Sequence, residues 1–171
     1  MLLERLFYTE NHLITLHWEK NFRHSLYNLY RFAHYYEEAY GKYIWLKSGA
    51  SLVIEHTEAM TVIDVNTGSV LKKKKQEDTL FYQINREAAK EIARQLRLRN
   101  ISGIIMIDFI NMKDTAQKEK LLSLLDSECK KDRVHCNVID MTALNLVEMT
   151  RSKVRKPLHE QIRSCMKNNR S

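Results

Sequence analysis

The run Val62-Ile63-Asp64-Val65-Asn66-Thr67-Gly68 combines alternating apolar residues with two oxygen-bearing side chains. On a strand, the period of two puts Asp64 and Asn66 on one face and Ile63 and Val65 on the other. Hard oxygen ligands would then collect where the strand runs into a glycine turn. A second acid, Asp108, sits between Ile107 and Phe109 in an apolar run, where a carboxylate without a partner is costly to desolvate. A divalent cation would serve both places, because Mg²⁺ is held by one or two carboxylates together with waters and substrate phosphates. Asp64 and Asp108 are therefore candidate metal ligands. Spacing alone leaves alternatives open: Asp64 could open a turn completed by Thr67-Gly68, and Asp108 could cap neighbouring backbone or pair with an arginine.

Other chemistries find less support. The seven histidines are dispersed without HxH or HExxH spacing, and His56, just before Thr57-Glu58, reads as a hairpin residue. Four glycines in 171 residues provide no phosphate-cradling loop, and no Ser/His/Asp or Cys/His arrangement can be argued. The three cysteines, Cys129, Cys136 and Cys165, are odd in number and lack CxxC spacing, so neither a disulfide framework nor a zinc ribbon is expected, and a reducing cytoplasm is the default. Glu4 interrupts the start of the chain where a secretory signal would be apolar, and Asp108 breaks the longest apolar stretch. Neither export nor membrane spanning is expected.

The length predicts one compact domain, or a domain with an appendage. With 44% hydrophobic and 29% charged residues, the chain reads as soluble and globular. Its formal charge is +7, and the excess is concentrated at one end: from Arg151 onward seven basic residues face a single acid, Glu160. Arg151, Lys153, Arg155 and Lys156 alternate closely enough to follow a phosphate backbone, with a solubilising tail as the competing use. Lys72 to Lys75 reads as a solvated loop.

The elements that must position these groups follow from periodicity. Residues 12 to 18 read as a strand and Ser25 to Tyr40 as an aromatic-rich helix. Tyr43 to Lys47, Ser51 to His56 and Met60 to Val65 form a strand meander, turning at Ser48-Gly49 and Thr57-Glu58. Thr79 to Arg99 places Ala88, Ala89, Ile92, Ala93 and Leu96 on one helical face. Gly103 to Phe109 has the continuous apolar character of a central strand covered on both faces. Asp114 is an N-cap for a helix through Lys131, and Val134 to Ile139 and Leu144 to Met149 supply further strands. The expected class is α/β, a mixed sheet flanked by helices, preceded by an N-terminal strand and helix. The aromatics between Tyr27 and Trp45 are expected in the core.

The stretches Tyr43-Ile44-Trp45-Leu46-Lys47-Ser48-Gly49 and Leu52-Val53-Ile54-Glu55-His56-Thr57-Glu58-Ala59-Met60-Thr61 lead into the Asp64 run, and Asn85 to Arg99, Gly103 to Ile110 and Leu146-Val147-Glu148-Met149-Thr150-Arg151 follow in order. Together they resemble the catalytic region of the ribonuclease E/G family over roughly residues 25 to 157. The resemblance implies a DNase I-like subdomain at 43–157, a remnant of the preceding subdomain at 1–42, and a basic tail at 158–171. It implies that Asp64 and Asp108 hold a catalytic Mg²⁺, with Mn²⁺ an equally acceptable oxygen-liganded ion. Asn66 would hydrogen-bond near the scissile phosphate or a water on the metal. Lys47 and Arg133 join Arg151, Lys153, Arg155 and Lys156 as expected RNA contacts.

The implied activity is endonucleolytic hydrolysis of single-stranded RNA to 5′-phosphate and 3′-hydroxyl ends, in the cytoplasm. The alternative is a non-catalytic RNA-binding or assembly module on the same fold. Three departures stand out. Ala50-Ser51 replaces a Gly-aromatic pair, Asn111 stands where the family usually has Asp, and His135 stands where Arg is expected. The S1 and 5′-sensing parts are not found ahead of the matched region, and no Cys-Pro-x-Cys zinc link follows Pro157. A homo-oligomer or a partner chain supplying S1-like contacts is therefore expected to aid RNA binding, and the chain alone is expected to bind metal weakly and to cleave slowly or undetectably.

Overall fold

The structure is a computed structural model and describes residues 39–68, 77–161 and 164. The expected strand at 12–18, most of the helix at 25–40, and the lysine run at 72–75 lie outside the described residues. In chain order the elements are β1 (Tyr43–Trp45), β2 (Ser51–His56), β3 (Met60–Asn66), α1 (Glu77–Leu98), β4 (Gly103–Asp108), α2 (Thr115–Cys129), β5 (Cys136–Met141) and β6 (Leu146–Arg151). The strands form one six-stranded sheet in the order β1-β2-β3-β4-β6-β5. Strands β3 and β4 pair in parallel, joined by the crossover through α1, and the other neighbours are antiparallel. This is the mixed α/β architecture of a DNase I-like subdomain.

Alternation along the strands divides the sheet into two unlike faces. Ile44, Leu52, Ile54, Ile63, Val65, Ile105, Ile107, Val147 and Met149 are buried in one core with Ile84, Ala88, Ala89, Ile92, Ala93 and Leu96 of α1 and Leu121 and Leu125 of α2. The stripe expected on α1 is thus the stripe that is buried. Burying the larger aliphatic side chains among these contributes roughly 1.5–3 kcal/mol each, which makes this face the main source of the sheet's register. Along β4, by contrast, Ile104 is 50% exposed and Asp108 is exposed. The expectation that Gly103–Phe109 is covered on both faces is therefore corrected: apolar composition marks a strand, but within β4 only Ile105 and Ile107 are fully covered, with Phe109 buried just beyond it.

Helix α2 begins as expected, with the Asp114 carboxylate accepting a hydrogen bond from the Ala116 N–H at 2.9 Å. The last two strands begin two residues later than expected. Leu144 lies in the β5–β6 turn and is 78% exposed. The Thr142 hydroxyl accepts from the Leu144 and Leu146 N–H groups, and Asn145 adopts φ 64°. Local hydrogen bonding at Thr142 outweighs the strand propensity of Leu144. At the other end, Asp132 accepts from the Val134 N–H at 2.9 Å and turns the chain ahead of Cys136. Cys129 and Cys136 are free thiols. Among the described residues no helix is long and apolar enough to cross a membrane.

Candidate active site

Strand alternation directs Asp64 and Asn66 away from the helix-covered face, because Ile63 and Val65 are claimed by the core. The parallel register then places Asp64 directly opposite Asp108. Both carboxylates consequently emerge from the same open face on neighbouring strands, about 5 Å apart at the backbone. Asn66 lies two residues further along β3, and its amide donates to Asp64 Oδ2 at 2.7 Å, which fixes that carboxylate's orientation. Asp108 has neither the arginine partner nor the backbone cap considered from sequence, since no hydrogen bond or ion pair reaches it among the described residues. Partial burial, and secondarily the charge of Asp64, push its carboxyl above the usual carboxylate range.

Two unneutralised carboxylates side by side, with an adjacent amide oxygen, make an all-oxygen donor set suited to a hard divalent cation. Among the described residues no group of three His, Cys, Asp or Glu could hold a metal ion. Two carboxylates match the donor count of an ion such as Mg²⁺, which takes one or two carboxylates and completes its shell with water and phosphate.

Two further residues hold this arrangement in place. Asn85 is completely buried in α1, where its amide donates to the Ile110 carbonyl at 2.7 Å and accepts from the Ile110 N–H at 3.0 Å. That two-point clamp fixes the chain immediately after Asp108. Glu87, half a turn further along the helix, accepts from the N–H groups of Lys47 at 2.7 Å and Ser48 at 3.2 Å, and so fixes the β1–β2 turn. Gly68, at φ +56°, abuts that turn so closely that a Cβ would lie 2.7 Å from the Gly49 carbonyl oxygen. Sequence reading missed Asn85, although a polar residue on the apolar stripe Asn85-Ala88-Ala89-Ile92 is a visible signal of a buried hydrogen-bonding role.

The basic residues do not form one patch. Lys47 is exposed and follows β1 at the end of the sheet where Asn66 and Ser51 are paired. The opposite end carries the others: Arg151 is paired with Gly103, five residues along β4 from Asp108, and Lys153, Arg155 and Lys156 continue beyond it. These three are exposed, as is Arg133 in the loop before β5. The expectation that Arg151 follows a phosphate backbone is corrected. Arg151 is only 4% exposed, its Nε pairs with Asp132 Oδ2 at 2.9 Å, and its Nη1 donates to Asn100 Oδ1 and the Ile101 carbonyl. Burial opposes ionisation of Asp132, but hydrogen bonds from Arg151 and the Val134 N–H prevail and hold its carboxyl below the usual range.

A second correction concerns the aromatics. Tyr40, Tyr43 and Trp45 are exposed rather than in the core. The period of two on β1 governs here, sending Ile44 inward and Tyr43 and Trp45 outward; the rest of the aromatic cluster lies outside the described residues.

The family model of the Ribonuclease E/G family matches residues 2–154. The chain belongs to the ribonuclease E/G family. It is 42% identical to ribonuclease G of Escherichia coli (strain K12) over 136 residues, covering 80% of this chain and 28% of that protein. It is 44% identical to ribonuclease G of Haemophilus influenzae over 133 residues, 78% of this chain and 27% of the relative. Ribonuclease E of Nostoc sp. is 42% identical over 115 residues, 67% of this chain and 17% of the relative. The chain thus spans under a third of the length of these ribonuclease E/G relatives, and the shared portion includes the strands that carry Asp64 and Asp108.

Proposed function

We propose that the chain is an endoribonuclease catalytic subdomain that hydrolyses single-stranded RNA with a divalent cation at Asp64 and Asp108, leaving 5′-phosphate and 3′-hydroxyl ends. The observation that carries this reading is the pairing of the two aspartates on adjacent parallel strands, on the open face, with no other partner for Asp108 among the described residues. Family membership supports it, because the relatives bear the names ribonuclease G and ribonuclease E.

A divalent ion held there supplies charge neutralisation at the phosphate and activation of water at neutral pH. The chain's own contribution is positional. Asp64 and Asp108 present their oxygens from rigid strands, Asn66 orients Asp64, and Asn85 fixes the loop behind Asp108. The open sheet face admits an extended strand, and Lys47 adds positive charge at the same end.

The test is incubation of the chain with a 5′-monophosphorylated AU-rich oligoribonucleotide in Mg²⁺, in Mn²⁺ and in EDTA, beside Asp64→Asn and Asp108→Asn. Metal-dependent cutting, reduced at least about 100-fold in either variant, is the expected result, in line with the several kcal/mol that charge stabilisation contributes. Cleavage that persists unchanged in both variants would overturn the assignment. RNA binding without any cleavage would favour the non-catalytic module.

A further inference from the structure

Tyr43 and Trp45 present 60% and 73% of their surfaces to solvent from the edge strand β1. Registration across the sheet connects them to the carboxylates. Tyr43 is opposite Val53, Val53 is opposite Asp64, and Asp64 is opposite Asp108, so these residues form one row on the open face. Trp45, Ser51 and Asn66 form the next row. With strands about 4.8 Å apart, the aromatic pair lies about 10 Å from Asp64 and Asn66, a distance bridged by a short run of nucleotides.

Beyond β1 the surface is a groove between this strand and α1, with Lys47, Lys90 and Arg97 in its lining. Its two acids are engaged within the fold: Glu87 by the β1–β2 turn, and Glu91 by Arg94 and Gln95. The edge therefore combines exposed rings with excess positive charge, the pairing used by proteins that grip single strands.

We infer that Tyr43 and Trp45 are a base-stacking platform that holds single-stranded RNA beside the Asp64/Asp108 pair, with the basic groove outside β1 taking the phosphate backbone. This rests on the proposed ribonuclease reading and adds to it the means by which the strand is gripped. Stacking on a ring is tolerant of base identity, so the platform contributes affinity and placement rather than sequence choice.

The experiment is titration of the 171-residue chain against a short single-stranded RNA carrying 2-aminopurine, in EDTA to prevent cutting, with anisotropy and 2-aminopurine quenching as readouts. Trp45→Ala is expected to weaken binding by about fivefold to 150-fold and to abolish the quench, as loss of one stacked base predicts. Trp45→Phe is expected to retain most of the affinity, and Tyr43→Ala to fall between. Both positions are exposed, so the variants should melt like the parent, which circular dichroism checks. Equal affinity and quench in the Tyr43→Ala/Trp45→Ala double variant would overturn the platform while leaving Asp108-dependent cleavage, and hence the ribonuclease reading, intact. Absence of RNA binding by the parent chain would overturn both. A dimer in solution that the double variant dissolves, with RNA affinity unchanged, would reassign the edge to a second copy of the chain.

Discussion

Asp64 and Asp108 are register partners across the parallel β3–β4 pair, so two acids 44 residues apart in the chain stand side by side on one open face. Their closeness has consequences for stability as well as chemistry. Asp108 is harder to ionise in the fold than in the unfolded chain, so above its folded pKa it subtracts from stability. Asp108→Asn should therefore hold or raise stability near neutral pH, by less than about 1 kcal/mol at so exposed a site. Mg²⁺ should raise the melting temperature of the parent and have much less effect on Asp108→Asn. Thermal melts with and without the ion provide the check, and an equal Mg²⁺ response in both proteins would count against binding at this pair.

Arg151 makes a different prediction from its neighbours in sequence. Removing it leaves the nearly buried Asp132 carboxylate without its guanidinium and Asn100 without its donor. Arg151→Ala should cost about 3–5 kcal/mol, the usual effect of breaking a buried pair from one side. Urea unfolding would measure it, and a loss under about 1 kcal/mol would mean that the pair is dispensable.

Lys153, Arg155 and Lys156 are exposed at the far end of the sheet from the carboxylates. If each meets one phosphate, the triple alanine variant should reduce the slope of log K against log salt by roughly 2, given about 0.7 per contact on single strands. Cleavage of saturating RNA should change little. Fluorescence binding across a salt series decides the matter, and an unaltered slope would return these residues to the role of a solubilising tail.

His56 supplies a pH signature. Its ring stacks on His159 at 3.9 Å between centroids and shares a 3.0 Å hydrogen bond with Thr61 Oγ1. Burial, then the charges of His159 and Arg99, lower its pKa to about 4, against the smaller opposing pull of Glu160. Between the usual value of 6.5 and about 4 the unfolded chain holds a proton that the native state refuses. The His56 contribution should thus lower stability progressively as pH drops through that window and add nothing further below it. The residue is exposed overall, so solvent screening limits the effect to on the order of 1 kcal/mol. Urea midpoints between pH 7 and 4 should show a shallower decline in His56→Gln, and parallel curves would remove His56 from the account.

Local periodicity was enough to read much of this protein from its residues. The alternation in Met60–Asn66 determines that Asp64 and Asn66 share a face, and the 3.6-residue stripe of Ala88, Ala89, Ile92, Ala93 and Leu96 determines which side of α1 is buried. Asp114 as a cap and the meander of the first three strands were equally legible, because each depends on neighbours in the chain. Tertiary structure alone decided how these pieces register. A slip of one residue between β3 and β4 would bring core residues to the open face, and burial of Ile63, Val65, Ile105 and Ile107 selects the alignment that opposes Asp64 to Asp108. Long-range packing likewise turned Arg151 from an apparent member of a basic tail into the partner of Asp132. It also left Tyr43 and Trp45 uncovered on β1. The charge and apolarity of a side chain are properties of its sequence position, whereas its access to water depends on which distant segments pack over it.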